Sequence, residues 1–243
     1  MKTNPDRSIR AELSPRTLVA AYSSGAFPMP DPEDEARIVW FSPDPRGLLP
    51  LDERFHVPRR LGRTIRQGRL ACTIDRAFPA VMRCCADRPE GTWITDEFLA
   101  AYGRLHELGL AHSVEVWPAE ALAGEGRPSQ GTLLPPAAGP DESGVHFPAA
   151  GPVGGIYGVA LGGAFFAESM FHRVRDAGSV ALVCLVQHLR RRGFVLCDVQ
   201  WRTPHLTKKF GAYEVARTEY LAVLSEALSK PICFAEAGGG QGS

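Results

Sequence analysis

Residues 154–171 read GGIYGVALGGAFFAESMF and residues 193–201 read GFVLCDVQW, and these two apolar, strand-like runs decide the fold. Gly162-Gly163 divides the first run into the two strands of a hairpin. Glu168 lies among phenylalanines, whereas Asp198 and Gln200 are two residues apart and therefore share one face of a strand. Because a carboxylate taken out of water is costly unless it is paired or used, we take these three as candidate catalytic residues.

The bulk composition is that of an ordinary globular protein. The 243 residues are 44% apolar and 22% charged, and the formal net charge is zero. This length suffices for one large domain or two modest ones, and a nucleic-acid partner would require a local basic patch. The sequence has no apolar run of membrane-spanning length, and its N-terminus lacks the apolar segment of a secretory signal. We therefore expect a cytoplasmic protein that does not contact the membrane.

The cysteines predict neither a metal site nor disulfides. The sequence contains no C-x-x-C and no H-E-x-x-H motif, which argues against zinc. Four of the six cysteines lie in apolar helix or strand patterns, so we expect reduced core residues. The six are Cys72, Cys84, Cys85, Cys184, Cys197 and Cys233.

Periodicity and Gly/Pro punctuation predict mixed strands and helices, and hence an α/β or α+β fold with helices packed over a sheet. The predicted helices are one from a Ser14 cap to Gly25, one capped by Asp75, and those at about 96–108, 179–192 and 218–229. The predicted strands are 38–41, 113–117, 153–161, 164–171 and 194–200. Residues 27–32 are predicted to be a Pro-rich loop, and 118–152 an inserted flexible loop. We place a small N-terminal domain at 1–69, a larger domain at 70–234 and a disordered tail at 235–243.

Seven segments of the chain resemble the bacterial leucyl/phenylalanyl-tRNA–protein transferases, and they occur in the order of that family. The segments are AY at 21–22 with GAFP at 25–28, WFSPDPR at 40–46, GTWI at 91–94, AHSVEVW at 111–117, GGIYGVA at 154–160, ESMF at 168–171 and DVQ at 198–200. The resemblance implies that the larger domain has an acetyltransferase-like (GNAT-like) fold.

The resemblance also implies a reaction and its partners. Leu, Phe or Met would move from an aminoacyl-tRNA to the α-amino group of a protein that begins with Arg or Lys, which marks that acceptor for degradation by the N-degron route. The implied partners are the 3′ end and acceptor stem of the tRNA and the acceptor protein. No metal or organic cofactor is implied, and we expect a monomer.

The three candidate catalytic residues fit the aminolysis of an ester. That reaction needs a neutral amine, a proton acceptor and stabilisation of the oxyanion. We expect Asp198 to hold the side-chain amide of Gln200, so that the amide oxygen accepts a hydrogen bond from the attacking amine. The alternative is a buried polar pair with a structural role. Glu168 would bind either the amino group of the transferred residue or the cationic head of the acceptor; the alternative is a core salt bridge to Arg173 or Arg175.

Two further sets of residues are candidates for binding. The first should form an apolar pocket for the transferred amino acid, with core packing as the alternative for each: Trp40, Phe41, Trp93, Ile156, Phe165 and Met170. The second should contact the tRNA phosphates through a basic helical face, with a solvated surface as the alternative: Arg59, Arg60, Arg63, Arg66 and Arg69. A basic group at 190–192, 202 and 208–209 is ambiguous in the same way.

Two other functions stay open at this stage. Residues 175–180 partly match the R-x-x-G-x-G/A loop that binds the pyrophosphate of acyl-CoA, although Val180 ends the motif. This pattern allows an acyl-CoA-dependent N-acetyltransferase. The basic run also allows a tRNA-binding protein without catalysis.

Overall fold

The sheet at the centre of the molecule grows outward from the hairpin at 154–172. The computed structural model describes residues 13–31, 33–122 and 151–235. Its helices are α1 (Pro15–Ser23), α2 (Arg59–Arg66), α3 (Phe78–Ala86), α4 (Asp96–Glu107), α5 (Ala177–Arg192), α6 (Pro204–Phe210) and α7 (Arg217–Leu228). Its strands are β1 (Phe27–Asp31), β2 (Asp34–Phe41), β3 (Arg46–Leu48), β4 (Leu70–Ile74), β5 (Ala111–Pro118), β6 (Gly154–Leu161), β7 (Ala164–His172), β8 (Leu196–Gln200) and β9 (Tyr213–Val215).

Seven strands form one sheet in the order β4-β5-β6-β7-β8-β3-β9, and β1 and β2 form a separate two-stranded sheet. Neighbours in the large sheet are antiparallel except β7 and β8, which are parallel and are connected through α5. The prediction of a mixed α/β fold is confirmed, and the arrangement is compatible with the acetyltransferase-like fold that the resemblance implied. β3, which lies within residues 1–69, is an inner strand of this sheet.

The two faces of the sheet carry two hydrophobic cores. Alternate residues of β6 and β7 pack on one side against α1, α3, α4 and α7, and on the other side against α2, α5 and α6. We call these the α1/α4 face and the α5 face. Because a strand side chain belongs to one face or the other, this division decides which of the candidate residues can meet.

Most predicted elements are confirmed, with three differences. Residues 27–31 form a strand and not a loop; Pro28 and Pro30 are tolerated because the two-stranded sheet leaves one side of each strand unpaired. Asp75 does not cap α3, whose N-cap is Ala77. The Asp75 carboxylate instead accepts a hydrogen bond from the main-chain N–H of Ser113 at 2.8 Å. The strands β3, β4 and β9 and the short helix α6 were not predicted.

The predicted inserted loop is described only at its ends. Residues 119–122 form a short 3₁₀ helix after β5, whereas 123–150 lie outside the described residues, as do 1–12 and 236–243. None of the helices in the described ranges is long and apolar enough to cross a membrane.

The prediction of reduced cysteines in the core is wrong for one pair. A disulfide joins Cys72 of β4 to Cys184 of α5, in the core of the α5 face. The two residues are 112 positions apart in the sequence, and only the packing of α5 across the sheet brings them together. The remaining four cysteines are free thiols. No cluster of three or more potential metal ligands occurs among the residues that the structure describes.

Candidate active site

A buried ion pair anchors the end of β8. Asp198 is completely buried, and both of its carboxylate oxygens accept from Arg46 on the adjacent β3, at 2.9 Å from Nε and 2.8 Å from Nη2. The Tyr220 hydroxyl of α7 donates to the same carboxylate at 2.6 Å. The Arg46 guanidinium also lies over the rings of Phe27 and Tyr220 and donates to the Gly25 carbonyl at 2.9 Å. The ion pair therefore ties β3, β8, α7 and the segment before β1 together.

Sequence analysis missed Arg46 and Tyr220, although a signal for the first was available. Arg46 ends the WFSPDPR motif at 40–46, and a carboxylate buried in an apolar strand requires a cationic partner. Burial works against the charge of this arginine, yet pairing with Asp198 leaves the pKa of Arg46 above its ordinary value.

The main chain turns sharply at Gln200, and Asp198 stabilises the turn. Gln200 has a φ of 60°, which is rare for a residue with a side chain. Its main-chain N–H donates to Asp198 Oδ1 at 2.8 Å. Gly47 of β3 makes room for the turn, because a Cβ there would lie 2.6 Å from the main-chain nitrogen of Arg202. The expectation that Asp198 holds the side-chain amide of Gln200 is therefore wrong: it holds the main chain.

A β-bulge aims Glu168 at this turn. Tyr157 of β6 pairs with Ser169 and Gly158 pairs with Ala167, so Glu168 between them has no partner. Such a bulge redirects side chains and is common beside active sites. Gly158 is required opposite the bulge, because a Cβ there would lie 2.2 Å from the main-chain oxygen of β7. Glu168 thus turns to the α1/α4 face, where Gln200 Nε2 donates to its Oε1 at 3.0 Å.

Tyrosine hydroxyls complete the surroundings of Glu168. Tyr102 of α4 donates to Glu168 Oε2 at 3.5 Å, and its hydroxyl is hydrogen-bonded to that of Tyr22 of α1. Loss of solvation on burial raises the pKa of Glu168 to about 8. The alternative partners Arg173 and Arg175 have exposed side chains beyond the paired part of β7.

The sheet opens at the point where these residues meet. The last pair between the parallel strands β7 and β8 is Phe166 with Asp198, although β7 continues to His172. Glu168 and Gln200 each lie two residues beyond this pair, and their side-chain hydrogen bond joins the two strands where the main-chain ladder has ended. The structure thus brings together all three candidate catalytic residues at one opening of the sheet.

The six predicted pocket residues are divided between the two faces. Trp40, Phe41 and Trp93 pack against the core of the α1/α4 face, on the same side as Glu168. Ile156, Phe165 and Met170 pack in the core of the α5 face, so the structure does not place them beside Glu168.

One further aromatic residue, Trp201, was not predicted as part of the site. It directly follows Gln200 and is 43% exposed, with its ring 5.0 Å from that of Phe27 and 6.4 Å from that of Phe41.

The two basic groups differ in whether their side chains are exposed or bonded to other parts of the protein. All five arginines at 59–69 are exposed, and four of them lie on α2. Members of the second basic group bond to the protein itself. Arg190 donates to the Leu51 carbonyl at 3.0 Å, and Lys209 donates to the Ser179 hydroxyl at 2.7 Å. The helix α2 is therefore the better candidate for a phosphate-binding surface.

Comparisons with known proteins find related sequences along most of the chain. The family model described as leucyl/phenylalanyl-tRNA protein transferase matches residues 48–126 and 146–225, and the model for the N-terminal domain of that family matches residues 11–44. The chain is similar to a protein named leucyl/phenylalanyl-tRNA–protein transferase from Akkermansia muciniphila, with 46% identity over 90% of this chain and 97% of the relative. Proteins of the same name from Herpetosiphon aurantiacus and Paramagnetospirillum magneticum are 44% and 46% identical, over 91% and 94% of this chain and 98% and 93% of their own lengths.

Proposed function

Since this chain belongs to the leucyl/phenylalanyl-tRNA protein transferase family, we propose that it moves Leu, Phe or Met from aminoacyl-tRNA to the α-amino group of proteins that begin with Arg or Lys. The chain is an aminoacyltransferase. The observation that supports the proposed transfer reaction is that Glu168, Asp198 and Gln200 meet where β7 and β8 separate. The product would carry a new N-terminal residue that targets it for degradation.

The proposed reaction depends mainly on positioning, because the ester bond to the tRNA is already activated. The amide of Gln200 donates its N–H to Glu168, which leaves the amide oxygen free to accept a hydrogen bond from the attacking amine. Asp198 fixes the main chain of Gln200, and Arg46 fixes Asp198. Gln200 is thus held at its main chain by a completely buried carboxylate, and its side chain and that of Glu168 hold each other, which is the fixed arrangement that positional catalysis requires.

The binding of the two substrates follows from the surfaces around this opening. Trp40, Phe41 and Trp93 would contact the amino acid and the 3′ end of the tRNA. The partly exposed Trp201 would add a further aromatic side chain at the solvent edge of this surface. A pocket of this kind discriminates by only ~1–3 kcal/mol per methylene, which favours acceptance of several large apolar residues. The exposed arginines of α2 would contact the phosphates of the acceptor stem.

The direct test follows labelled Leu from Leu-tRNA onto a peptide that begins with Arg, without CoA. We expect transfer to this peptide and none to the same peptide with an acetylated N-terminus. Gln200→Ala should lose transfer while keeping tRNA binding. Gln187→Ala is the matched control: this glutamine is a half-buried residue of α5, and the variant should transfer Leu and bind tRNA as the wild type does. Failure of the folded protein to transfer Leu would reject the proposal. Dependence on acetyl-CoA would favour the acetyltransferase alternative, and tRNA binding without any transfer would favour the non-catalytic one.

A further inference from the structure

We propose that the carboxylate of Glu168 takes the proton from the attacking amine, and that the hydroxyls of Tyr22 and Tyr102 set its affinity for that proton. This inference rests on the proposed aminoacyl transfer. It assigns Glu168 a part in the chemical step that differs from binding a cationic group of either substrate.

The proton has one suitable acceptor among the three candidate residues. Gln200 is an amide with very weak basicity. Asp198 is completely buried, and its oxygens already accept from Arg46, from Tyr220 and from the Gln200 main chain. Glu168 is only partly buried, and its donors are the Gln200 amide and the Tyr102 and Tyr22 hydroxyls, with no cation bonded to it among the described residues; because a carboxylate offers about four acceptor sites, it retains room for a proton.

The proposed step balances without any further reactant. The neutral amine of the acceptor forms a C–N bond with the ester carbonyl carbon, and the nitrogen becomes positively charged. Glu168 removes a proton from this nitrogen. The C–O bond to the ribose oxygen then breaks, and the same proton passes to the departing oxygen, which regenerates the carboxylate. A group that gives and takes one proton within a cycle works best when its pKa lies near the working pH.

The groups that face Glu168 produce such a pKa. Loss of solvation raises the pKa of the carboxyl to about 8; the Tyr22 and Tyr102 hydroxyls and the Arg46 charge lower it, whereas the Asp198 charge raises it. Tyr157 of β6 also interacts electrostatically with the carboxyl, and with Cys85 and Arg88 of the α3 region. Its hydroxyl is buried and makes no hydrogen bond within the described part of the chain. Tyr22 and Tyr102 are therefore positioning residues, which act through Glu168.

The first experiment separates proton transfer from charge binding. Glu168→Gln keeps the size and the polar contacts but cannot accept the proton, so we expect kcat to fall at least a hundredfold while KM changes by less than about threefold. Glu168→Ala should recover activity in added formate, which can enter the space and act as the base. A rise of KM with unchanged kcat would overturn the proposal, as would a Glu168→Ala variant that formate does not rescue although its circular dichroism is that of wild type.

The second experiment uses the pH profile of kcat/KM. The α-amine of the acceptor itself titrates near pH 8, so a limb there does not identify the base. Tyr102→Phe and Tyr22→Phe remove donors to the carboxylate and should move the acid limb upward by about half a pH unit or more, whereas the substrate limb cannot move. Tyr157→Phe is the matched control and should leave the profile in place. If the wild type transfers Leu but all profiles coincide, the proton-acceptor proposal fails and the proposed function stands; if the wild type transfers nothing, the proposed function itself fails.

Discussion

Replacement of Arg46 by Met should be among the most damaging single changes in this chain. The arginine is completely buried and donates three hydrogen bonds to Asp198 and one to the Gly25 carbonyl. Methionine fills most of the space but leaves a buried carboxylate without a cation. Breaking a buried pair in this way costs about 3–5 kcal/mol of unfolding free energy. For a chain of this size, that corresponds to a fall in Tm of about 6–20 °C.

The assay is thermal unfolding followed by circular dichroism, beside a matched surface pair. Arg54 makes the same two-pronged contact with Asp52, but its side chain is 60% exposed, so Arg54→Met should leave the Tm unchanged within error. The double variant Arg46→Met with Asp198→Leu removes both charges and should regain most of the lost stability. It should still lack transferase activity, because the main chain of Gln200 has lost its acceptor. An effect of Arg46→Met no larger than that of Arg54→Met would refute the argument.

Three further outcomes follow from the structure. Gly158→Ala places a Cβ against the main chain of β7 opposite the bulge, and should abolish transfer and lower the Tm; an active, stable variant would show that the bulge is dispensable. Replacement of Arg59, Arg63 and Arg66 by Glu should weaken tRNA binding and flatten its dependence on salt, measured by filter binding between about 50 and 200 mM salt; an unchanged slope would place the tRNA site elsewhere. Burial raises the pKa of Glu115 from 4.5 to about 7. Between these two pH values the folded state retains a proton that the unfolded state has lost. The contribution of Glu115 to the free energy of unfolding therefore declines as the pH rises through this range. Glu115→Gln should remove that decline in urea titrations at pH 5 and pH 8, and an identical pH dependence in both proteins would contradict the argument.

The sequence predicted the central elements because their local signals agree with their packing. The two glycines at 162–163 separate two runs of strand length, and Ser14 with Pro15 marks the start of α1, where Ser14 Oγ accepts from the Thr17 N–H at 3.2 Å. The sequence did not predict elements that form only because another part of the chain pairs with them. β1 contains two prolines and is a strand only because β2 pairs with it, and Asp75 bonds to β5 and not to the helix that follows it.

The candidate site could be predicted in part, and the division has a physical cause. Glu168, Asp198 and Gln200 are conspicuous because polar groups are rare in apolar strands. Their partners come from distant parts of the chain: Arg46 is 152 positions from Asp198, and Tyr102 is 66 positions from Glu168. The sequence around Asp198 and Glu168 indicates that each needs a partner, but it does not indicate which distant residue that partner is.

The division of the six predicted pocket residues between the two faces follows from strand alternation. Phe165 lies three positions from Glu168, so simple alternation already assigns it to the opposite face. Met170 lies two positions from Glu168 and should share its face, but the extra residue of the bulge shifts the alternation and sends Met170 to the α5 face. A bulge cannot be deduced from one strand alone, although Gly158 on the partner strand is the residue that permits it.

Two irregularities of the main chain face each other across the opening of the sheet, and this pairing suggests why the site stays in place without substrate. The left-handed conformation of Gln200 costs about 1–3 kcal/mol, and the bulge at Glu168 forfeits a ladder hydrogen bond. Neither would persist alone. The Asp198 carboxylate stabilises the left-handed conformation of Gln200 by accepting a hydrogen bond from its main-chain N–H. The bulge is stabilised because the Glu168 carboxylate accepts a hydrogen bond from the Gln200 side chain. Relaxing either irregularity would therefore break a contact of the other, so the amide and the carboxylate are fixed as a unit before the two substrates arrive. We therefore expect this site to accelerate aminolysis by holding its groups in place, and to lose activity far more steeply than stability when Glu168 or Gln200 is changed.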